Sequence, residues 1–115
     1  MKKNKQAENY LDKVPVKNAN IGFSTDDDGK VTLEIENKGA VNRIFQKLLK
    51  KPKISYIHLD EFGSFVWQQI DSQKDITLIG EAVEEKFGEK SHPLYERLVE
   101  YFQILKSYSF ITFKD

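Results

Sequence analysis

Few side chains in this chain are equipped for chemistry. His58 and His92 are the only imidazoles, and there is no cysteine. A zinc site draws three or four such ligands together at short spacing, which two distant histidines do not supply. His58 is better read as a solvated strand position, available for a pH-sensitive contact with an acidic peptide. Asp26, Asp27, Asp28 and Gly29 resemble a calcium loop only superficially, because the alternating ligands and the closing glutamate are missing. Asp28-Gly29 instead favours the positive φ angles of a tight hairpin. Asp60 and Glu61 are adjacent carboxylates, a pattern that caps a helix and complements its dipole. "FGEKSH" at 87–92 has a glycine and a lysine without the spacing of a phosphate cradle. No nucleophile, base and oxyanion donor assemble. The expectation is a protein that is not an enzyme and takes neither metal nor cofactor.

The elements that hold these residues belong to one small domain. With 115 residues, 39% hydrophobic and 12% aromatic, the chain can bury about two thirds of its unfolded surface. Eight Phe and five Tyr predict a flat-sided interior. Basic and acidic residues balance at 18 each, so the overall field steers neither polyanions nor membranes. The distribution is uneven, since Lys38, Arg43, Lys47, Lys50, Lys51 and Lys53 fall within 38–53 with no acid among them. No stretch nears the roughly 20 apolar residues of a membrane span. The early lysines precede no apolar run of a signal peptide, and the lack of cysteine fits a reducing compartment. A cytoplasmic location is expected.

Residues 1–13 are polar and read as a flexible lead-in to a single domain over 14–115. A short strand near 21–24 leads to the hairpin turn. In "KVTLEIEN", Val31, Leu33 and Ile35 take one face, while Thr32, Glu34 and Glu36 take the other, as in a half-solvated strand. Ile44, Phe45, Leu48 and Leu49 recur at helical spacing, predicting a basic amphipathic insertion at 40–51 stopped by Pro52. "ISYIHL" at 54–59 reads as a third strand. Asp60 caps a helix to about Ile70, with Phe62, Phe65, Val66 and Ile70 in one stripe. Trp67, about 140° from Phe62, is expected in a second core layer beneath the sheet. Asp75 caps a second helix carrying Ile76, Ile79, Val83 and Phe87, and Gly88 closes it. A third helix runs from near Pro93 to about Ser107, and 110–113 form a last short strand.

The third helix is apolar over an unusually wide arc. At 100° per residue, Ile104, Tyr108, Tyr101, Leu105, Leu98, Phe102, Tyr95 and Val99 cover roughly 220°, against a little over 100° for an ordinary surface helix. One partner surface cannot cover that, so part packs on the first two helices and part needs another cover. The basic insertion and the N-terminal segment are the intramolecular candidates, and an outside partner is the other.

The order of these elements resembles the PqqD family, small peptide chaperones whose fold is also the RiPP recognition element of peptide-modifying enzymes. Carrying the resemblance are Leu59-Asp60 at the strand-to-helix corner, Val66-Trp67, and Asp71-Ser72 where the family usually shows Asp-Gly. "DITLIGEAVEEKFG" at 75–88 also matches, with Leu98, Phe102, Leu105 and Phe110-Ile111. It covers roughly residues 30–113. Two departures stand out: the segment 38–53 is longer and more basic than the usual link, and Ser109 replaces a usual glycine.

The resemblance implies an α+β, winged-helix-like fold, with a small antiparallel three-stranded sheet packed on a three-helix bundle. It also implies a non-catalytic module that binds the leader segment of a ribosomally made precursor peptide and presents it to a radical or other peptide-modifying enzyme. The peptide would add as a strand at 54–59 and pack on the helix at 94–107, which nominates Tyr56, Ile57, His58, Tyr95, Val99 and Phe102. An unpaired strand edge beside an apolar helix suits that mode of recognition.

Two other functions remain open from the residues alone. A winged helix suggests a DNA-binding regulator, yet 75–107 holds seven acids (Asp75, Glu81, Glu84, Glu85, Glu89, Glu96, Glu100) and four bases (Lys86, Lys90, Arg97, Lys106). That balance opposes phosphate contact, and no nucleic acid is expected as partner. A generic protein-interaction domain without a peptide substrate differs only in its partner. The basic stretch at 38–53 would touch anionic lipid through 40–51, dock on an acidic face of an enzyme, or be a solvated helix whose apolar side joins the core.

Overall fold

Asp26 fixes the first turn. Its Oδ1 accepts the N–H groups of Asp28 and Lys30, each at 2.9 Å, and Gly29 takes φ +82°, a conformation that costs glycine nothing. The hairpin it closes joins β2 (Gly22–Thr25) to β3 (Val31–Glu36). In this computed structural model, which describes residues 10–36 and 54–114, β4 (Ile54–His58) then pairs antiparallel with β3. The three-stranded sheet has the order β2-β3-β4. The insertion expected at 40–51 lies outside the described residues.

Val31 and Leu33 are buried on one face of β3, while Thr32 and Glu34 stay partly exposed on the other, the alternation expected of a half-covered sheet. Behind that face stand α1 (Glu61–Gln69), α2 (Ile76–Phe87) and α3 (Leu94–Ser107). The caps form as their sequences predict: Asp60 Oδ1 accepts from Gly63 N at 2.7 Å and Asp75 Oδ1 from Leu78 N at 2.9 Å. Gly88 ends α2 at φ +59°. The described residues therefore form an α+β fold, three α-helices with a small antiparallel sheet.

A second sheet was not legible. β1 (Pro15–Lys17) pairs antiparallel with β5 (Ile111–Phe113), Pro15 opposite Phe113. Asn18 N–H to Phe110 O and Lys114 N–H to Val14 O extend this ribbon. Of the lead-in expected at 1–13, residues 10–13 are tied to the body: Ile76 N–H donates to Lys13 O and Thr77 Oγ1 to Leu11 O. The remainder of 1–13 lies outside the described residues.

The core stripe of α1 also differs from expectation. Its buried residues are Gly63, Ser64, Val66 and Trp67, because two small side chains let the helix approach its neighbours closely. Phe62 and Phe65 are displaced to the flank, where both rings meet Phe87, at 6.0 and 5.6 Å. Trp67 is fully buried and meets the Phe23 ring of β2 edge-on at 5.9 Å, so it forms a layer beneath the sheet. Such burial stabilises by about 1.5–3 kcal/mol per large side chain. The Lys17 ammonium lies 4.6 Å from the Phe23 centroid and 5.2 Å from that of Trp67, and burial holds its pKa below the usual lysine value.

Candidate functional site

In an antiparallel ladder, opposed residues alternate between pairs that exchange both backbone bonds and pairs that exchange none. Leu59 N–H donates to Val31 O at 2.9 Å. Stepping by two along the observed register, Ile57 with Leu33 and Ser55 with Ile35 are the bonded pairs. Tyr56 opposite Glu34 and His58 opposite Thr32 are the non-bonded ones. The backbone N–H and C=O of Tyr56 and His58 therefore point to the outer edge of β4, where no strand lies among the described residues.

Side chains sort by the same parity. Ser55 and Ile57 share the helix-facing side with Leu33 and Ile35. Ile54, Tyr56 and His58 project to the opposite side, where His58 Nδ1 sits 2.9 Å from Thr32 Oγ1. Ile57 faces inward yet is 37% exposed, and Tyr56 is 59% exposed. An inward apolar residue left this open is uncovered apolar surface on the helix-facing side of the sheet.

Ser64 and Tyr101 build the corner at the end of β4. The Ser64 hydroxyl, 1% exposed, accepts the Val31 N–H at 2.8 Å and donates to Leu59 O at 3.2 Å. It thereby ties β3, the end of β4 and α1 together. Tyr101 of α3 donates its hydroxyl to Gly63 O at 2.7 Å. Burial, aided by the nearby Asp60 carboxylate, pushes the Tyr101 phenol above its usual pKa, so it stays a neutral donor. A Cβ on Gly63 would stand 3.3 Å from Tyr101 Cε2 and 3.6 Å from Leu59 Cβ; the absent side chain is what lets α3 meet the corner.

This contact sets the Tyr101 flank of α3 against α1, close to where β4 ends. Ile104 and Tyr108 fall within about 60° of Tyr101 around the helix, and they are 49% and 66% exposed. Tyr95 lies about 120° away, with its ring against α2, where a Cβ on Gly80 would be 3.0 Å from Tyr95 Cε1. Val99 is half-buried and about 160° from Tyr101. Phe102 is fully buried, so its ring packs the core and offers no groove surface. Of the six residues nominated from sequence, Tyr56, Ile57 and His58 stand together on β4, whereas on α3 Phe102 is fully buried, Val99 is half-buried and Tyr95 lies beside Gly80 of α2. Ser64 and Tyr101, which fix the corner, went unchosen, and Gly63 was the available signal for Tyr101.

Beyond the corner, the Arg97 guanidinium lies 4.0 Å from the Phe62 centroid and donates to Lys90 O at 2.8 Å. Phe62 and Arg97, with Glu100, Tyr101 and Ile104, line a hollow of about 210 Å³. Among the described residues, no three His, Cys, Asp or Glu side chains cluster to hold a metal ion. None of their helices is long and apolar enough to cross a membrane.

The family described as coenzyme PQQ synthesis protein D (PqqD) matches residues 34–111, from within β3 to the first residue of β5. Comparison with curated proteins and with solved structures gives no match.

Proposed function

This chain belongs to the PqqD family, whose members are peptide-binding partners of modifying enzymes, and we propose that it holds the leader segment of a ribosomally made precursor peptide as a strand added to β4. The observation that carries this is the outward backbone of Tyr56 and His58 beside the open, inward-facing Ile57. Two N–H and two C=O groups accept an extended partner there. At a net of about 1 kcal/mol per bond, four such bonds give about 4 kcal/mol. Micromolar affinity needs about 8 kcal/mol, so side-chain pockets must supply the rest.

Those pockets are assigned to the Tyr101, Ile104 and Tyr108 flank of α3, in place of Tyr95, Val99 and Phe102. Every second peptide side chain would rest between Ile57 and that flank, and the others would lie beside Tyr56 and His58. The chain acts in this reading by presenting the peptide to a radical or other peptide-modifying enzyme, without catalysing a step itself. Titrating the isotopically labelled protein with candidate leader peptides tests it. Saturable amide shifts at 54–59 and 101–108 are expected; shifts confined to other residues would overturn the assignment.

A further inference from the structure

The opposite flank of α3 carries a separate cleft. It has a volume of about 560 Å³ and is lined by Glu81, Glu84, His92, Pro93, Leu94 and Tyr95. Its apolar floor is formed by Pro93, Leu94 and the ring of Tyr95, which settles against Gly80 because no side chain intervenes. Tyr95 remains 41% exposed. The rim is anionic. Glu84 is engaged by His92 Nε2 at 2.8 and 2.9 Å, whereas the Glu81 carboxylate has no hydrogen-bond or ion-pair partner among the described residues. Leu78, one turn before Glu81 on α2, is 50% exposed.

We propose that this cleft receives a lysine or arginine side chain presented by the surface of a protein partner. A basic side chain combines a methylene stem with a cationic head, which matches an apolar floor under a carboxylate rim. Its stem would lie along Pro93 and Leu94, and its head would meet the face of Tyr95 and the carboxylates of Glu81 and Glu84. A purely apolar guest is disfavoured, since it would strip water from the Glu81 carboxylate without pairing it. Nearby cations of the same helices are committed elsewhere: Arg97 lies over Phe62, and Lys86 lines a different cleft with Asp28 and Phe65. Exposed Leu78 extends the footprint beyond a single amino acid, which selects a protein surface over a free one. This inference does not rest on strand addition at β4, because it uses the other flank of α3. A peptide and a partner protein would thus be held on opposite sides.

The test uses the full chain, isotopically labelled, and a synthetic basic amphipathic probe peptide with the sequence of residues 40–53. A second peptide with every Lys and Arg replaced by Gln is the control. Saturable shifts at Glu81, Glu84, Leu94 and Tyr95 are expected with the basic probe, together with loss of binding by the Gln peptide. The double variant Glu81→Gln, Glu84→Gln, with its melting temperature checked against wild type, should weaken the basic probe about tenfold, as two part-exposed charge pairs would. Equal binding by both peptides, or an affinity within twofold in the double variant, would overturn the proposal. Shifts confined to 54–59 would also overturn it while leaving strand addition intact.

Discussion

Replacing Ser64 with alanine removes one oxygen from the junction of β3, β4 and α1. The Val31 N–H loses its acceptor at 2.8 Å, and Val31 is 1% exposed, so water cannot take its place without opening the corner. A buried donor left unpaired costs about 1–3 kcal/mol. The lost bond to Leu59 O is long, at 3.2 Å, and adds little. Alanine recovers up to about 0.5 kcal/mol in helix propensity. The expected net loss is about 1–2.5 kcal/mol, a large share of the 5–15 kcal/mol typical of a domain. In urea titrations the midpoint should fall with the slope unchanged, and in thermal melts the midpoint should drop by about 4–10 °C. Ser24→Ala, on the exposed β2, serves as control and should stay within about 0.5 kcal/mol of wild type. If Ser64→Ala unfolds at the wild-type midpoint, the hydroxyl does not hold the corner and the geometry built on it is wrong.

Three further outcomes follow from the same structure. Ser72 and Ser109 take φ +65° and +63°, so Ser72→Gly and Ser109→Gly should each raise stability by about 0.5–1 kcal/mol in urea titrations, relieving a conformation costly for residues with a Cβ. Phe102→Ala should lose about 3–5 kcal/mol, whereas Ile104→Ala, at an exposed position, should change stability by under about 0.5 kcal/mol yet weaken leader-peptide binding measured by calorimetry. The Tyr101 phenol titrates above its unfolded value of 10.0, so its contribution is intact below about pH 10 and is lost as pH climbs toward the folded value. Melts between pH 8 and 11.5 should therefore show Tyr101→Phe losing less stability on the alkaline side than wild type.

What the sequence disclosed was local. The β3 alternation, the Asp-Gly turn, the Asp60 and Asp75 caps and the Gly88 stop each depend on a few neighbouring residues, and each forms. Positive φ at Ser72 and Ser109 falls where the resemblance placed a usual glycine, so the backbone geometry is kept and the side chain bears the strain. The β1–β5 ribbon was hidden because three-residue strands carry no period and their partners lie at opposite ends of the chain. The wide apolar arc of α3 announced two covers but not which flank met which. Two glycines make that choice: Gly63 admits Tyr101 beside the β4 corner, and Gly80 admits Tyr95 beside α2. A glycine within a helix, met in a sequence, is usually read only as a weakness, and here it marks where another helix comes close.

Amide hydrogen exchange along β4, with and without a bound leader peptide, probes the claimed mode of recognition most directly. In the free protein, the Ser55 and Ile57 amides should be protected by pairing with β3, while those of Tyr56 and His58 exchange quickly. On adding peptide, protection should rise at Tyr56 and His58 and change little at the other two. Slow exchange at Tyr56 and His58 before any peptide is present, or no gain there at saturation, would contradict strand addition at this edge.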